Sequence, residues 1–362
     1  MKKHLLALAA LATVSGAAVA QSATVYGFID LGMFTTNNST DGKSQKTMYQ
    51  AGGNYFPTMW GITGSEDLGG GMKASFNLQG SLSAANGTVQ DAGTGTLFGR
   101  YSSVTLSGSA GSVELGRQID LLFLQSFVNG VMPTHANSLA VNGLLAYGGG
   151  DRATTQAATT SGTTANGNTD ASRINNAITY TSPTVNGITG KFMYAPGGIA
   201  GKGSAGAIYS GVLTANVSGV ALSGGYETQN NDAGTVTNAF HKSLVGAKYS
   251  LGTVDLAGQY HNYKSSDATI NANAYELGVA LHATPVLTVG INYEHFDDKF
   301  ANTNPTVTSL KAKYDLSKRT YLYGMAASYN KEASTKILQG YAVTTGAAKT
   351  SSNFAVGVVH GF

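Results

Sequence analysis

Tyr275-Glu276-Leu277-Gly278-Val279-Ala280-Leu281, then Leu287-Thr288-Val289-Gly290-Ile291-Asn292-Tyr293-Glu294 after a short connection, is the stretch from which the fold is read. Tyr275, Leu277, Val279 and Leu281 fall on one parity, as do Leu287, Val289, Ile291 and Tyr293. Glu276, Asn292 and Glu294 fall on the other. Successive side chains of a strand point to opposite faces, so period-two alternation predicts two strands with one apolar and one polar face.

The pattern spreads in both directions. Toward the C-terminus it predicts strands through Leu310–Leu316, through Tyr321, Tyr323, Met325, Ala327 and Tyr329, and through Phe354–Val358. Toward the N-terminus it passes Val254–Tyr260, Val245–Leu251, Val220–Tyr226, Tyr209–Val217, Ile188–Tyr194 and Ile174–Tyr180. Earlier still come Ser112–Gln118, Leu97–Ser107, Met72–Leu78, Met59–Thr63 and Val25–Met33. Across Leu97–Ser107 the alternation blurs, which fits either a strand packed on another subunit or a slipped register. Lys73, Arg100, Arg173, Lys242, Lys311, Asp30, Glu114 and Glu227 are read on the polar parity. About sixteen strands result. Short turns such as Ser218-Gly219 alternate with longer polar loops such as Asn230–Ala239.

Composition decides what such a sheet faces. Charged residues make up 11% of the chain, against the roughly 25% usual in soluble domains. Mean hydropathy is −0.04, and no apolar run approaches the roughly 20 residues of a spanning helix. In hydrocarbon every backbone polar group must be paired internally, so a spanning sheet has to close on itself. The fold expected is an all-β, antiparallel transmembrane barrel, apolar outside and wet inside. Outward tyrosines near strand ends (Tyr180, Tyr194, Tyr226, Tyr249, Tyr293 and Tyr329) suit interfacial girdles.

The regular pattern breaks once, after Gln118. The next strand starts near Arg173, and the span between is rich in Gly, Ala, Thr and Asn after an apolar start, Leu121-Leu122-Phe123-Leu124. A loop of this length has no place in a compact soluble domain. It makes sense if residues 119–172 fold into the barrel mouth and narrow it.

At the N-terminus, Met1-Lys2-Lys3-His4 precedes an apolar core and Ala18-Val19-Ala20. This reads as a secretory signal peptide, residues 1–20, leaving a barrel of residues 21–362. The 22 basic residues fall to 20 when Lys2 and Lys3 leave with it, against 19 acidic ones. So balanced a charge argues against nucleic-acid binding. The chain has no cysteine, hence no disulfide framework or thiolate metal site.

Three stretches then carry a resemblance: Thr24-Val25-Tyr26-Gly27-Phe28-Ile29-Asp30, Gly64-Ser65-Glu66-Asp67-Leu68-Gly69-Gly70-Gly71-Met72-Lys73-Ala74, and Asn176–Pro183. With Gly116-Arg117-Gln118 and the closing Val356–Phe362, their order resembles the trimeric general porins of β-proteobacterial type. The resemblance implies a 16-stranded barrel in the Gram-negative outer membrane, amid lipid and lipopolysaccharide. It implies a homotrimer, an inward-folded third extracellular loop, and a C-terminal Phe362 read by the barrel-assembly machinery. Such porins set basic wall residues against acidic loop residues. Arg100 sits where the family has a wall arginine, and Arg173 joins it by its own parity. Two positions depart from the family: Met59 replaces a usual wall arginine, and the loop offers only Asp120, Asp151 and Asp170 against Arg152. Arg117 either lines the pore or anchors the loop base or a subunit contact.

No catalytic or cofactor motif appears. Glu294-His295 puts its two side chains on opposite faces, and Gly69-Gly70-Gly71 lacks the Lys-Ser/Thr of a phosphate loop. An outer-membrane hydrolase or adhesin would need a catalytic constellation or an extra domain. The function expected is passive diffusion of small hydrophilic solutes and ions, with no cofactor. Weak anion preference follows from eight inward basic residues against seven acidic ones. Pore residues are expected at Arg100, Arg173, Arg117, Lys73, Met59, Asp120, Asp30, Leu121 and Phe123. The alternative is a channel selective for aromatic or organic acids, with Leu121–Phe127 and Leu144–Tyr147 lining an apolar throat.

Overall fold

The computed structural model describes residues 23–40, 43–89, 97–132, 172–198, 200–201, 203–230, 239–266, 270–300, 302, 304–330 and 348–362. The expected signal peptide, most of the 119–172 segment, Leu144–Tyr147, Asp151, Arg152 and Asp170 lie outside them.

Seventeen strands form one antiparallel sheet. They are β1 (Thr24–Thr40), β2 (Lys43–Gly52), β3 (Met59–Gly69), β4 (Met72–Ser81), β5 (Tyr101–Gly108) and β6 (Gly111–Ile119). A helix, α1 (Leu121–Asn129), is followed by β7 (Arg173–Thr181), β8 (Ile188–Ala195), β9 (Ile208–Val217), β10 (Val220–Asn230) and β11 (Ala239–Ser250). The last are β12 (Val254–Ser265), β13 (Asn271–Thr284), β14 (Leu287–Asp298), β15 (Thr306–Asp315), β16 (Thr320–Tyr329) and β17 (Ala348–Gly361).

From β3 to β17 each strand pairs with its sequence neighbour, and β17 pairs with β1 from Phe28↔Gly361 upward, so the sheet closes. Phe362 completes the seam by exchanging backbone hydrogen bonds with Gly27 at 3.1 and 3.3 Å. The seventeen segments occupy sixteen positions, because β2 pairs with the far half of β1 and β3 with its near half. At 17 residues, β1 is far longer than the roughly 9–11 a bilayer needs, so its upper part and β2 rise beyond it. That is why Lys43–Gly52, which has no apolar alternation, gave no strand signal.

The apolar parity faces outward over most of the barrel. Leu277, Ile291, Val245 and Leu310 are exposed, while Glu276, Asn292, Lys242 and Lys311 on the other parity are buried. In β5, Val104 and Leu106 face outward and Ser103 inward, which resolves the blurred stretch; the strand starts at Tyr101.

Two parity readings are corrected. In β16, Tyr323, Met325, Ala327 and Tyr329 are buried inside and Leu322 is exposed, so Tyr329, 2% exposed, is no girdle residue. They pack in an apolar cluster with Phe34, Tyr55, Tyr263 and Phe296. A face buried on protein and a face buried in lipid select the same residues. In β7, Ile174 is buried while Ile178 and Tyr180 face outward. The register shifts between Gly116 and Gln118, and Asn176 takes a positive φ of 55°, which marks a bulge that reverses the alternation.

Candidate functional site

The break between β2 and β3 turns Gly53–Thr58 onto the inner wall. Asp30, fully buried, accepts hydrogen bonds from the backbone N–H groups of Tyr55 (2.6 Å) and Phe56 (2.8 Å) and from the Tyr323 hydroxyl (2.7 Å). Tyr55 packs at 5.5 Å from Tyr321 and 5.4 Å from Tyr323. Asp30 is thus inward as expected, but it is covered, and it anchors this segment instead of lining open lumen. Met59, at the end of the insertion, is also buried.

Beyond β6 the chain runs into α1, which packs against the inner face of β9–β12. Asp120 caps α1 by accepting from Phe123 N–H at 2.7 Å. Its other carboxylate oxygen meets Lys242 Nζ at 2.7 Å, and Lys242 also meets Glu227 at 2.6 Å. Burial on its own would raise the Asp120 carboxyl. The Lys242 ammonium, Glu227 and the Phe123 N–H outweigh it and hold the group below its ordinary value. A depressed value stabilises the fold above the unfolded value of 3.8 and is lost as pH falls through the lowered one. The Asp120 contribution to the heat-denaturation gap between wild type and an Asp120→Asn variant should therefore shrink as pH falls below about 3.8.

Leu121, Leu122, Gln125, Ser126 and Asn129 form the buried face of α1. Leu121 and Leu122 join Ile174, Met193, Ile208, Val212 and Leu244 in an apolar cluster. Placing Leu121 in the throat is corrected on this ground: at 6% exposure it is wall packing. Phe123 is half-buried, edge-on to Phe127 at 4.9 Å, with the Arg173 guanidinium 5.9 Å from its ring centre.

Wall side chains then grip the backbone of the last helical turn and of the residues after it. Gln259 donates to Ser126 O at 3.0 Å, Lys248 to Gly130 O at 3.4 Å, Asn292 to Val131 O at 3.3 Å and Lys311 to Met132 O at 3.1 Å. Glycines make room on the wall. A Cβ on Gly278 would lie 2.4 Å from Val131, and one on Gly246 would lie 2.1 Å from Asn129. Gly278→Val should therefore lift this segment off the wall and lower single-channel conductance while the barrel still closes.

Arg173 lies beside α1, and Arg100 and Arg117 tie neighbouring strands. Arg100 donates to Gln79 Oε1 at 2.9 Å and Ser81 Oγ at 3.3 Å. Arg117 shares parity with outward Val113 and Leu115, and donates to Gly99 O at 2.6 Å and to Asn175 Oδ1, tying strand ends at the base of the 119–172 segment. Arg173, 5% exposed, donates to Ser172 O at 2.8 Å. Lys73 is exposed beside the Gly69–Gly71 turn, far from α1 along the strands. The structure therefore brings together Asp120, Leu121, Phe123 and Arg173, and leaves Lys73, Asp30 and Met59 elsewhere. The wall residues Lys242, Gln259, Asn292 and Lys311 complete the site. Their inward parity was readable from sequence, but what each would grip was not. Among the described residues no cluster of three or more His, Cys, Asp or Glu is arranged for a metal.

Comparisons with known proteins agree with this architecture. A family model described as Gram-negative porin matches residues 7–334. Outer membrane porin protein 32 of Delftia acidovorans is 32% identical, over the full length of both chains. An outer membrane porin protein of Bordetella pertussis is 38% identical over 33% of this chain and 34% of its own. Among solved structures, the anion-selective porin from Comamonas acidovorans superposes with a TM-score of 0.76 at 26% identity, covering 94% of this chain and all of that one. Salmonella typhi OmpF shares the fold, with a TM-score of 0.64 at 16% identity over 94% and 98%. A closed sixteen-position barrel and a full-length relative together make this chain a member of the Gram-negative porin family, a channel protein of the outer membrane.

Proposed function

We propose that the channel passes small hydrophilic solutes and ions by passive diffusion, with a weak preference for anions, and that the 119–172 segment narrows it. The observation that carries this reading is the course of residues 120–132 across the inner wall from β9 to β15, held by Lys242, Gln259, Asn292 and Lys311. A polypeptide fixed inside a wet barrel reduces the radius, and selectivity then rests on radius and wall charge. Arg100 and Arg173 supply the positive flank, while Lys242 and Asp120 largely cancel. The anion-selective relative supports the sign. Reversal potentials across a planar bilayer in a salt gradient test it: anion-favouring potentials are expected, and clear cation selectivity would defeat the reading.

Residues 1–20 act in this reading as a cleaved signal peptide, and Phe362 at the barrel seam as the assembly signal. The working form is a homotrimer. The exposed tyrosines, among them Tyr180, Tyr226, Tyr260 and Tyr293, all lie on β7–β15 among the described residues. The outer face from β17 through β6 shows residues such as Ile29, Leu115, Val356 and Phe354, with no exposed tyrosine among the described residues. A lipid-facing wall carries an aromatic girdle, so a wall without tyrosine suits contact with another copy. Leu115→Trp should lower the temperature at which trimers dissociate on a denaturing gel, whereas Leu277→Trp on β13 should leave it unchanged.

A further inference from the structure

Beneath the gripped backbone lies a group of oxygen atoms that nothing in the channel account uses. Glu294, 0% exposed, has no hydrogen-bond partner on either carboxylate oxygen. The Oδ1 atom of Asn292 and the Oγ atom of Ser309 are likewise buried and unpartnered. Register brings these three residues together. Asn292 lies directly across from Ser309, Glu294 is two residues along the same face of β14, and Glu276 lies directly across from Glu294. Residues opposite each other on neighbouring strands have Cβ atoms roughly 4.5–5.5 Å apart, so Ser309 adjoins Asn292 and Glu276 adjoins Glu294 along one face of β14.

With both carboxylates ionised, the charges do not balance without a ligand. Two carboxylates directly opposite on adjacent strands repel, and a buried carboxylate without a partner is costly. Asn292 Nδ2 and Gln259 Nε2 satisfy Glu276, but nothing satisfies Glu294. The nearby Lys311 donates to Met132 O, and among the described ion pairs it makes none with either glutamate. The cluster of Glu276, Glu294 and Lys311 therefore carries one excess formal negative charge.

We propose that Glu294, Asn292 and Ser309, with Glu276 beside them, bind a small hard cation of the calcium class beneath residues 130–132. The donors are carboxylate, amide and hydroxyl oxygens only, the set that hard cations select, and calcium tolerates the irregular geometry of side chains drawn from three strands. Asn292 would then turn its oxygen to the ion while its nitrogen holds Val131 O, tying the cation to the position of the pore-narrowing segment. This site does not depend on which solutes the channel passes.

The test is calorimetric titration of calcium chloride into protein refolded in detergent without lipopolysaccharide, which itself binds calcium. Wild type should show one saturable site, and excess chelator should lower its heat-denaturation temperature. Glu294→Gln should weaken binding by about ten-fold or more, since ligand charge sets affinity at such sites. Heat-modifiable migration on a gel reports whether each variant has closed its barrel. Should Glu294→Gln fail to fold, Ser309→Ala, which removes a single neutral ligand, should still weaken binding measurably. An absence of saturable binding by wild type, as expected if a proton alone neutralises Glu294, would overturn the proposal. So would unchanged affinity in whichever variants fold.

Discussion

Replacing Lys242 by methionine is expected to cost about 3–5 kcal/mol, the range for removing one partner from a buried ion pair. Lys242 Nζ sits between Asp120 at 2.7 Å and Glu227 at 2.6 Å, with Asp120 wholly buried. Methionine keeps much of the packing but strands both carboxylates. Relief comes from uptake of a proton or from Asp120 moving toward water, and the second route removes the cap of α1 and loosens the helix from the wall. The expected readouts are a lowered heat-denaturation temperature and single-channel currents with added noise from a mobile constriction. Lys242→Arg, which keeps the charge, should recover much of the stability. If Lys242→Met behaves as wild type in both measurements, the helix is held by its apolar face alone.

Asp30→Ala should have an effect of similar size for a different reason. Three donors converge on this buried carboxylate, and hydrogen bonds to charged groups contribute about 1.5–3 kcal/mol each. Removing it leaves the Tyr55 and Phe56 N–H groups and the Tyr323 hydroxyl without their acceptor. A net loss of about 3 kcal/mol or more is expected, with Gly53–Thr58 released from the wall. Proteolysis should reveal this: new cleavage within residues 53–58 of the variant, under conditions where wild type stays intact. No new cleavage, together with an unchanged denaturation temperature, would show that the aromatic packing of Tyr55 suffices.

Much of the barrel was legible because each spanning strand must satisfy two solvents at once. The hairpin around Tyr275–Glu294 shows this plainly, with Leu277 and Ile291 out and Glu276 and Glu294 in. Legibility failed where the inner face is covered by protein instead of water. Tyr323, Met325 and Tyr329 pack on Tyr55 and its neighbours, so their apolar run mimics a lipid face. It failed again at the bulge near Asn176, where local backbone geometry reverses the alternation without any change of composition. For the site, the apolar start Leu121–Leu124 is visible in the sequence, but which of its residues pack on the wall, as Leu121 and Leu122 do, is not. Its alternative signal was helical spacing, with Leu121, Leu122, Gln125, Ser126 and Asn129 on one face behind an Asp120 cap. The wall glycines Gly246 and Gly278 were visible too, but a glycine that receives another segment looks in sequence like any other strand glycine.

In the proposed channel α1 lies inside the conducting lumen. Val128, 56% exposed, stands on the flank of the helix beside its buried face, and the chain contains no cysteine. A Val128→Cys variant therefore offers a single reactive thiol. In planar bilayers, adding a charged methanethiosulfonate reagent should step down the conductance of each open channel, with positively and negatively charged reagents shifting ion selectivity in opposite directions. Conductance and selectivity that stay the same after confirmed labelling would contradict the account.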